Sequence, residues 1–433
     1  MKKLSVLTKV SFLVTSFFAL TFSAIAQEAS LSDKDILQQL QQDVRAIKGL
    51  KLSGYVQAQY QTADTAGIAS MAGGKFDAAS DSRFKIRRGR LKLNHTTKLS
   101  SAVLQFDMTE KSMLINEAYI KVNEPFLNIL GITAGIFDRP FGNEIAYSSS
   151  TIESLERSRI VQTLFPGEKD LGAQLTLQAP KTSALHFIKI EAGLFNGNGP
   201  AEETDSYKDF IGHLHLAKSS KDKKFAFGLG ASYYNGGFAA ATNKLYAVKT
   251  VDAVQVFVSD SVGKGSKLDK SFVGLDFQYS MDWFIGKTQI RAEYIQGTQT
   301  AISGSSTSLK AAMSGDAYLR QFNGYYVYFI QDIGKTPFQV VAKYDVYDPN
   351  TAVSGNQIGL TSSSGVTTGS ADVLYSTVGV GLHYHMDKNT RISAYYDMVR
   401  NETTTQLADN STLKDLSKDR NDNVFTLRLQ YKF

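Results

Sequence analysis

From residue 51 to the last residue the chain alternates apolar and polar positions in segments about ten residues long. Such period-2 segments predict β-strands with two chemically different faces. Sixteen can be read: 51–61, 83–96, 101–109, 112–123, 127–137, 168–179, 185–196, 208–217, 224–235, 270–281, 286–299, 318–330, 337–347, 373–386, 390–400 and 422–433. In the last of these Phe425, Leu427, Leu429, Tyr431 and Phe433 share one face, and Thr426, Arg428, Gln430 and Lys432 the other. Segment 168–179 sets Leu171, Ala173, Leu175 and Leu177 against Gly172, Gln174, Thr176 and Gln178. Segment 337–347 sets Phe338, Val340, Ala342, Tyr344 and Val346 against Gln339, Val341, Lys343 and Asp345.

The connections carry as much information as the segments. Links after even-numbered segments are short, such as Thr97–Ser100, Glu124–Phe126 and Asp387–Asn389. Links after odd-numbered segments are mostly long, such as 62–82, 138–167, 236–269 and 348–372. Short turns at one end and long loops at the other are the layout of an outer-membrane barrel. In a soluble sheet the polar face would meet bulk water; in a barrel it lines a channel while the apolar face meets lipid. Sixteen strands fall in the size range that leaves an aqueous interior.

The first residues place such a chain. Lys2 and Lys3 precede the apolar run Val10–Phe22, and Ala24-Ile25-Ala26 forms a small-residue cleavage site. Residues 1–26 therefore read as a secretory signal peptide. Loss of Lys2, Lys3 and Lys9 with it takes the formal charge from +6 to +3, which gives no reason to expect a nucleic-acid partner. The absence of cysteine removes disulfides, thiolate metal sites and a Cys nucleophile. Residues 27–50 read as a short periplasmic helix, with Leu37, Leu40, Val44 and Ile47 in a–d spacing after an S-x-x-D start at Ser32 and Asp35. Two heptads are marginal alone, so a coiled coil there needs an oligomer; a single or flexible leader is the alternative. The domain reading is thus signal peptide 1–26, helix 27–50 and transmembrane barrel 51–433. The terminal Phe433, after alternating apolar positions, resembles the terminal signal of outer-membrane proteins.

Two stretches carry candidate chemistry. In 83–93 the residues Arg83, Lys85 and Arg87 are in one phase and Arg88, Arg90 and Lys92 in the other. A β-bulge between Arg87 and Arg88 would turn both sets to one side. That side is the lumen, because Arg or Lys facing lipid costs about 2–4 kcal/mol near the bilayer midplane. The resulting cationic ladder would attract anions, unless Asp107 and Glu117 neutralise it. The second stretch is the link 138–167, long enough to fold inward as a constriction loop. Its segment Ser150–Val161 reads as a short helix with Ile152, Leu155 and Ile160 or Val161 on one side. Arg139, Arg157 and Arg159 are its candidate anion ligands, with salt bridges to Glu144, Glu153 and Glu156 as the competing role.

No G-x-S-x-G, H-E-x-x-H or phosphate-loop pattern is found, so no enzyme and no cofactor are expected. The pairs His213/His215 and His383/His385 read as lumen-lining rather than metal-binding. Gly228, Gly230, Gly379 and Gly381 read as relief of crowding, and Trp283 as an interface anchor.

The motifs Phe84-x-Ile86-Arg87-Arg88-x-Arg90-Leu91-x-Leu93, Gly135-Ile136-Phe137-x-Arg139-Pro140-Phe141, Glu156-Arg157-Ser158 and Asp170-x-Gly172-Ala173-Gln174 resemble the phosphate-selective porin O/P family. The resemblance covers about 51–433 and is densest over 83–180. It implies a sixteen-stranded homotrimeric porin of the bacterial outer membrane, surrounded by lipid, whose constriction carries basic residues. The expected function is passive diffusion of small solutes, favouring anions such as phosphate. The alternative is a general porin admitting carbohydrates or peptides without ion preference, with Asp276, Glu293, Asp345 and Asp397 facing the ladder.

Overall fold

In a computed structural model the described residues are 49–407 and 415–433. The expected signal peptide and all but the end of the expected 27–50 helix lie outside them. The sixteen strands are β1 (Leu50–Ala63), β2 (Ser82–Thr96), β3 (Ser100–Met108), β4 (Met113–Asn123), β5 (Leu130–Asp138) and β6 (Lys169–Gln178). They continue as β7 (Ile188–Phe195), β8 (Asp209–Ser219), β9 (Phe225–Ala239), β10 (Lys267–Trp283) and β11 (Gly286–Ala301). The last five are β12 (Ala317–Asp332), β13 (Phe338–Asp348), β14 (Tyr375–His385), β15 (Thr390–Asn401) and β16 (Val424–Lys432). Each pairs antiparallel with its neighbour, and β1 pairs with β16 from Tyr55↔Lys432 to Ala63↔Val424, which closes the barrel. Closure leaves no strand edge unpaired, the condition for β structure in lipid.

Alternation sorts the two faces as expected. Leu171, Leu175, Leu177, Leu427, Leu429 and Tyr431 are exposed on the outer surface, while Gln174, Thr176, Thr426, Arg428 and Gln430 are buried on the other face. The substitution Leu175→Arg is therefore expected to cost about 2–4 kcal/mol near the midplane. A urea titration of folding into lipid vesicles measures it.

Glycine relieves crowding at the positions named above. A Cβ on Gly228 would stand 3.0 Å from His215 Nε2, and one on Gly230 would stand 2.6 Å from His213 Nε2. At Gly379 a Cβ would meet the Tyr395 hydroxyl at 2.4 Å, and at Gly381 the Tyr395 ring at 2.2 Å.

Two small hairpins escaped the sequence reading. One pairs Ala69–Ser70 with Gly74–Lys75; the other pairs Lys244–Val251 with Val254–Ser261 and runs alongside the start of β12 at Leu245↔Ala317. Their loops are packed at the long-loop end. Ile68, Ala72 and Phe76 are buried with Val399 and Val424. Val248 packs on Val353, Ile358, Val373 and Leu416.

The largest apolar cluster lies within the barrel. Phe141, Ile160, Leu164 and Phe165 of the link after β5 pack on Tyr234, Phe272, Phe322 and Val341 of β9, β10, β12 and β13. Thus Val341, on the polar face by parity, is fully buried against this link rather than exposed to water.

Candidate functional site: the loop after β5 and the cavities beside it

The loop 139–168 is bonded to bore-facing groups on ten strands. Its first residues are held by carboxylate and hydroxyl acceptors. The Gly142 N–H donates to Ser232 Oγ of β9 at 2.8 Å, and the Asn143 N–H donates to Glu293 of β11 at 3.1 Å. Glu293 also accepts from the Tyr326 hydroxyl of β12 at 2.7 Å. Tyr147 donates to Gln278 of β10, and Tyr328 of β12 to Glu144. Arg291 of β11 makes a two-point ion pair with Glu153 at 2.6 and 2.9 Å.

Wall donors then take the loop's carbonyl groups in succession. Gln57 of β1 donates to the Ser149 carbonyl, Gln430 to that of Ser150, Arg391 to that of Ile152 and Arg428 to that of Leu155. A His383 ring nitrogen sits 2.7 Å from the Glu153 carbonyl. Those carbonyls would have to accept the internal hydrogen bonds of a helix across Ser150–Val161. The observed helix α1 is accordingly only Arg159–Leu164, and 150–157 is a series of turns and bends. This corrects the expected helix, although Ile152, Leu155, Ile160 and Val161 are all buried.

Glu156 is the hub of the attachment. Arg87 grips it through two hydrogen bonds of 2.7 and 2.6 Å, Arg428 reaches it at 2.9 Å and Arg88 at 3.6 Å. Burial by itself raises the pKa of this carboxyl, but Arg87 and then Arg88 outweigh that and hold it well below the usual carboxylate range. Arg87 and Arg88, adjacent in sequence, thus act on the same side of the wall, as the phase slip required. Pairing between β2 and β3 runs from Gly89↔Met108. A register shift lies one strand further on: Gln105 pairs with Glu117 and Phe106 with Ile115, and Asn116 is passed over.

The other candidate residues separate into groups. Arg90 pairs with Asp107 at 3.0 Å and Lys92 with Glu117 at 2.6 Å, the neutralising partners foreseen for the ladder. Arg83 is bonded to Gln61 and lies over the Phe76 ring at 3.9 Å. Lys85 makes no ion pair among the described residues. In the loop, the expected salt bridges to Glu144, Glu153 and Glu156 are not the ones made. Arg157 pairs with Glu168 at 3.3 Å, Arg139 donates to the Glu168 and Lys169 carbonyls, and Arg159 stacks over Tyr375 at 3.9 Å. The acids have other partners on the wall, and parity alone could not tell which side of the bore the loop would face.

Three adjoining cavities of about 440, 350 and 260 Å³ lie beside the loop. The first two share Lys189, His215 and Gln278; the second and third share Lys92, Glu117, Asp138 and Ala146. Together they follow the loop's 138–150 segment along the wall from β16 and β1 round to β11. Ten Lys and Arg residues line them against three acids, Glu117, Asp138 and Glu191. Arg90, Lys92, Arg139 and Arg157 are among the ten, so four of the nine candidate residues face this space. Lys121, Lys169 and Lys189 were missed. Each lies near a strand end, where one basic residue in an alternating segment gives no distinctive signal.

The start of the loop gives a local test. Gly142 has φ +60°, and a Cβ there would stand 1.8 Å from Glu293 Oε1. The substitution Gly142→Ala meets both a disfavoured backbone and a blocked carboxylate. It is expected to make the loop sensitive to added protease and to lower the temperature at which the barrel unfolds, with the strand content of the folded protein unchanged by circular dichroism.

A closed sixteen-stranded barrel with an apolar outer belt and a charged bore is a transmembrane channel of the porin class. The family described as phosphate-selective porin O and P matches residues 65–433, and this chain belongs to that family. It is therefore a protein of the bacterial outer membrane, with its short turns toward the periplasm by the rule for such barrels. Among solved structures, the fold is similar to that of OprB of Pseudomonas putida, at 9% identity over 92% of this chain and 97% of that one, with a TM-score of 0.54. It is also similar to the outer-membrane channel DcaP of Acinetobacter baumannii, at 12% identity over 89% and 97%, with a TM-score of 0.51. At these identities the likeness concerns the fold alone. A search of curated proteins gave no match.

Proposed function

We propose that the protein is a passive diffusion pore favouring small anions, phosphate among them, and that the loop 139–168 is its constriction. The observation that carries this reading is the charge of the cavity lining, ten basic residues against three acids. In a narrow passage with low-dielectric walls such an excess concentrates anions and repels cations. Lys121, Lys189 and Arg139 lead the anion path; Arg90, Lys92 and Arg157 also line it, their charge offset in part by Asp107, Glu117 and Glu168. Arg83, Lys85 and Arg159 shape the approach from the long-loop end, and Arg87 and Arg88 hold the loop through Glu156.

The general porin with no ion preference depended on acids facing the ladder. Asp276, Glu293, Asp345 and Asp397 are buried, and each is engaged. Asp276 bonds His213 at 3.0 Å, and Asp345 and Asp397 approach Lys343 at 3.2 and 3.6 Å. Glu293 holds the loop. These acids are thereby withdrawn from the solute path.

The pore works as a homotrimer in this reading. The link Thr109–Ser112 is the shortest at its end of the barrel, and the adjacent outer face carries the strongly exposed Phe84, Leu114 and Ile120, fitted to a neighbouring barrel. In the same reading residues 1–26 would be removed on export and 51–433 are the barrel. Liposomes carrying the purified protein test the function. Phosphate should enter several-fold faster than a neutral sugar of similar size; equal rates would favour the general porin.

A further inference from the structure

A fourth cavity, of about 230 Å³, opens between the loop and the short-turn ends of β14 to β16. It is lined by Ser150 and Thr151 of the loop and by His385, Arg391, Gln430 and Lys432 of the wall. Ser150 and Lys432 also line the third cavity of the passage, so the recess adjoins it.

Arg391 sets this recess apart. The side chain is buried, at 6% exposure. Three other buried arginines of the wall hold a carboxylate within 3 Å: Arg291 at 2.6 Å, Arg320 at 2.8 Å and Arg428 at 2.9 Å. Arg391 holds none among the described residues. Its Nη2 makes two long contacts, 3.3 Å to the Ile152 carbonyl and 3.4 Å to Gln430 Oε1, and its Nε has no partner. The acid of the recess, Asp387, is already occupied, accepting from the N–H groups of Asn389 at 2.6 Å and Thr390 at 2.7 Å. The nearest carboxylate, Glu153, is taken by Arg291 and makes no ion pair with Arg391; a buried guanidinium with no carboxylate in contact is costly, and an anion is the group that relieves it.

We propose that this recess is a binding site for a small tetrahedral oxyanion of phosphate size, held by Arg391 and Lys432. Guanidinium matches oxyanion geometry through paired N–H donors, and the lysine ammonium adds a second positive charge with its own donors. The site would be a resting place at the periplasmic end of the passage, and this role rests on the reading of the channel as an anion pore.

The test is block of chloride current by inorganic phosphate in planar bilayers. Phosphate added at the short-turn side should block at lower concentration than phosphate added at the loop side. The substitution Arg391→Gln should raise the half-blocking concentration about tenfold. Lys432→Gln, which leaves the Ile152 carbonyl contact in place, should raise it several-fold. Unchanged half-blocking concentrations in both variants, or equal block from the two sides, would overturn the site. The zero-current potential in potassium chloride alone separates the two claims: a non-selective channel whose phosphate block still needs Arg391 would retain the site and refute the anion pore.

Discussion

Replacing Glu156 with Gln is expected to unfasten the loop and to produce the largest change in conductance of any single substitution in this protein. Three arginines, Arg87, Arg88 and Arg428, converge on this carboxylate, and its side chain is only 8% exposed. Removing one partner of a buried ion pair costs about 3–5 kcal/mol, because the other charge is left unpaired in a poorly solvated place. Here three positive charges would face one another with their counter-charge gone and one acceptor oxygen replaced by an amide donor. Arg428, which donates to the Leu155 carbonyl, belongs to the same cluster, so the segment around Leu155 and Glu156 should detach from the wall. Single-channel records of Glu156→Gln should show higher, noisier conductance, and the folded barrel should unfold at lower temperature. Unchanged conductance with unchanged stability would mean that the loop is held elsewhere.

The same residue fixes a pH dependence. Because its pKa in the folded state is depressed, the clamp's stabilisation is present above the ordinary glutamate value of about 4.3 and is lost only as pH falls through the lower folded value. Conductance changes between pH 8 and 5 should therefore not originate at Glu156.

The second large effect concerns selectivity. Lys92→Gln combined with Lys121→Gln should sharply reduce anion preference while leaving the loop attached. Both lysines line the same cavity. Lys92 shares Glu117 with Lys169, which lies 3.1 Å from that carboxylate, so Glu117 keeps a partner when Lys92 is neutralised. Lys121 forms no ion pair among the described residues. A unit charge about 4 Å from a passing ion is worth about 1 kcal/mol even in water, or roughly fivefold in local concentration. The double variant should thus lower the anion-to-cation permeability ratio by more than an order of magnitude. Its unfolding temperature should stay near that of the unaltered protein, which sets it apart from Glu156→Gln.

Most of the barrel was legible from alternation. All sixteen segments correspond to strands, with ends shifted by a few residues, because lipid on one side and polar groups on the other impose a strict period of two. What parity could not supply was the occupant of the bore. It marks Arg87, Arg88, Arg428 and Gln57 as inward, but an inward arginine may face water or the carbonyls of a folded loop, and the local sequence is the same. The helix expected over Ser150–Val161 failed for this reason, since its carbonyl groups bond residues remote in sequence. Lys121 and Lys189 were missed because what marks them is position beside the loop's open side. The inward aromatics Phe272 and Phe322 break the polar phase of their strands and mark the wall on which the loop rests; that signal was present and went unread.

The zero-current potential of the purified protein in a planar bilayer under a tenfold potassium chloride gradient tests the central claim most directly. An ideally anion-selective pore would give about 59 mV in the chloride direction. The expected result is a clear potential of that sign, reduced toward zero by the Lys92→Gln, Lys121→Gln pair. A potential near zero, or one of the cation sign, in the unaltered protein would rule out the anion-favouring pore.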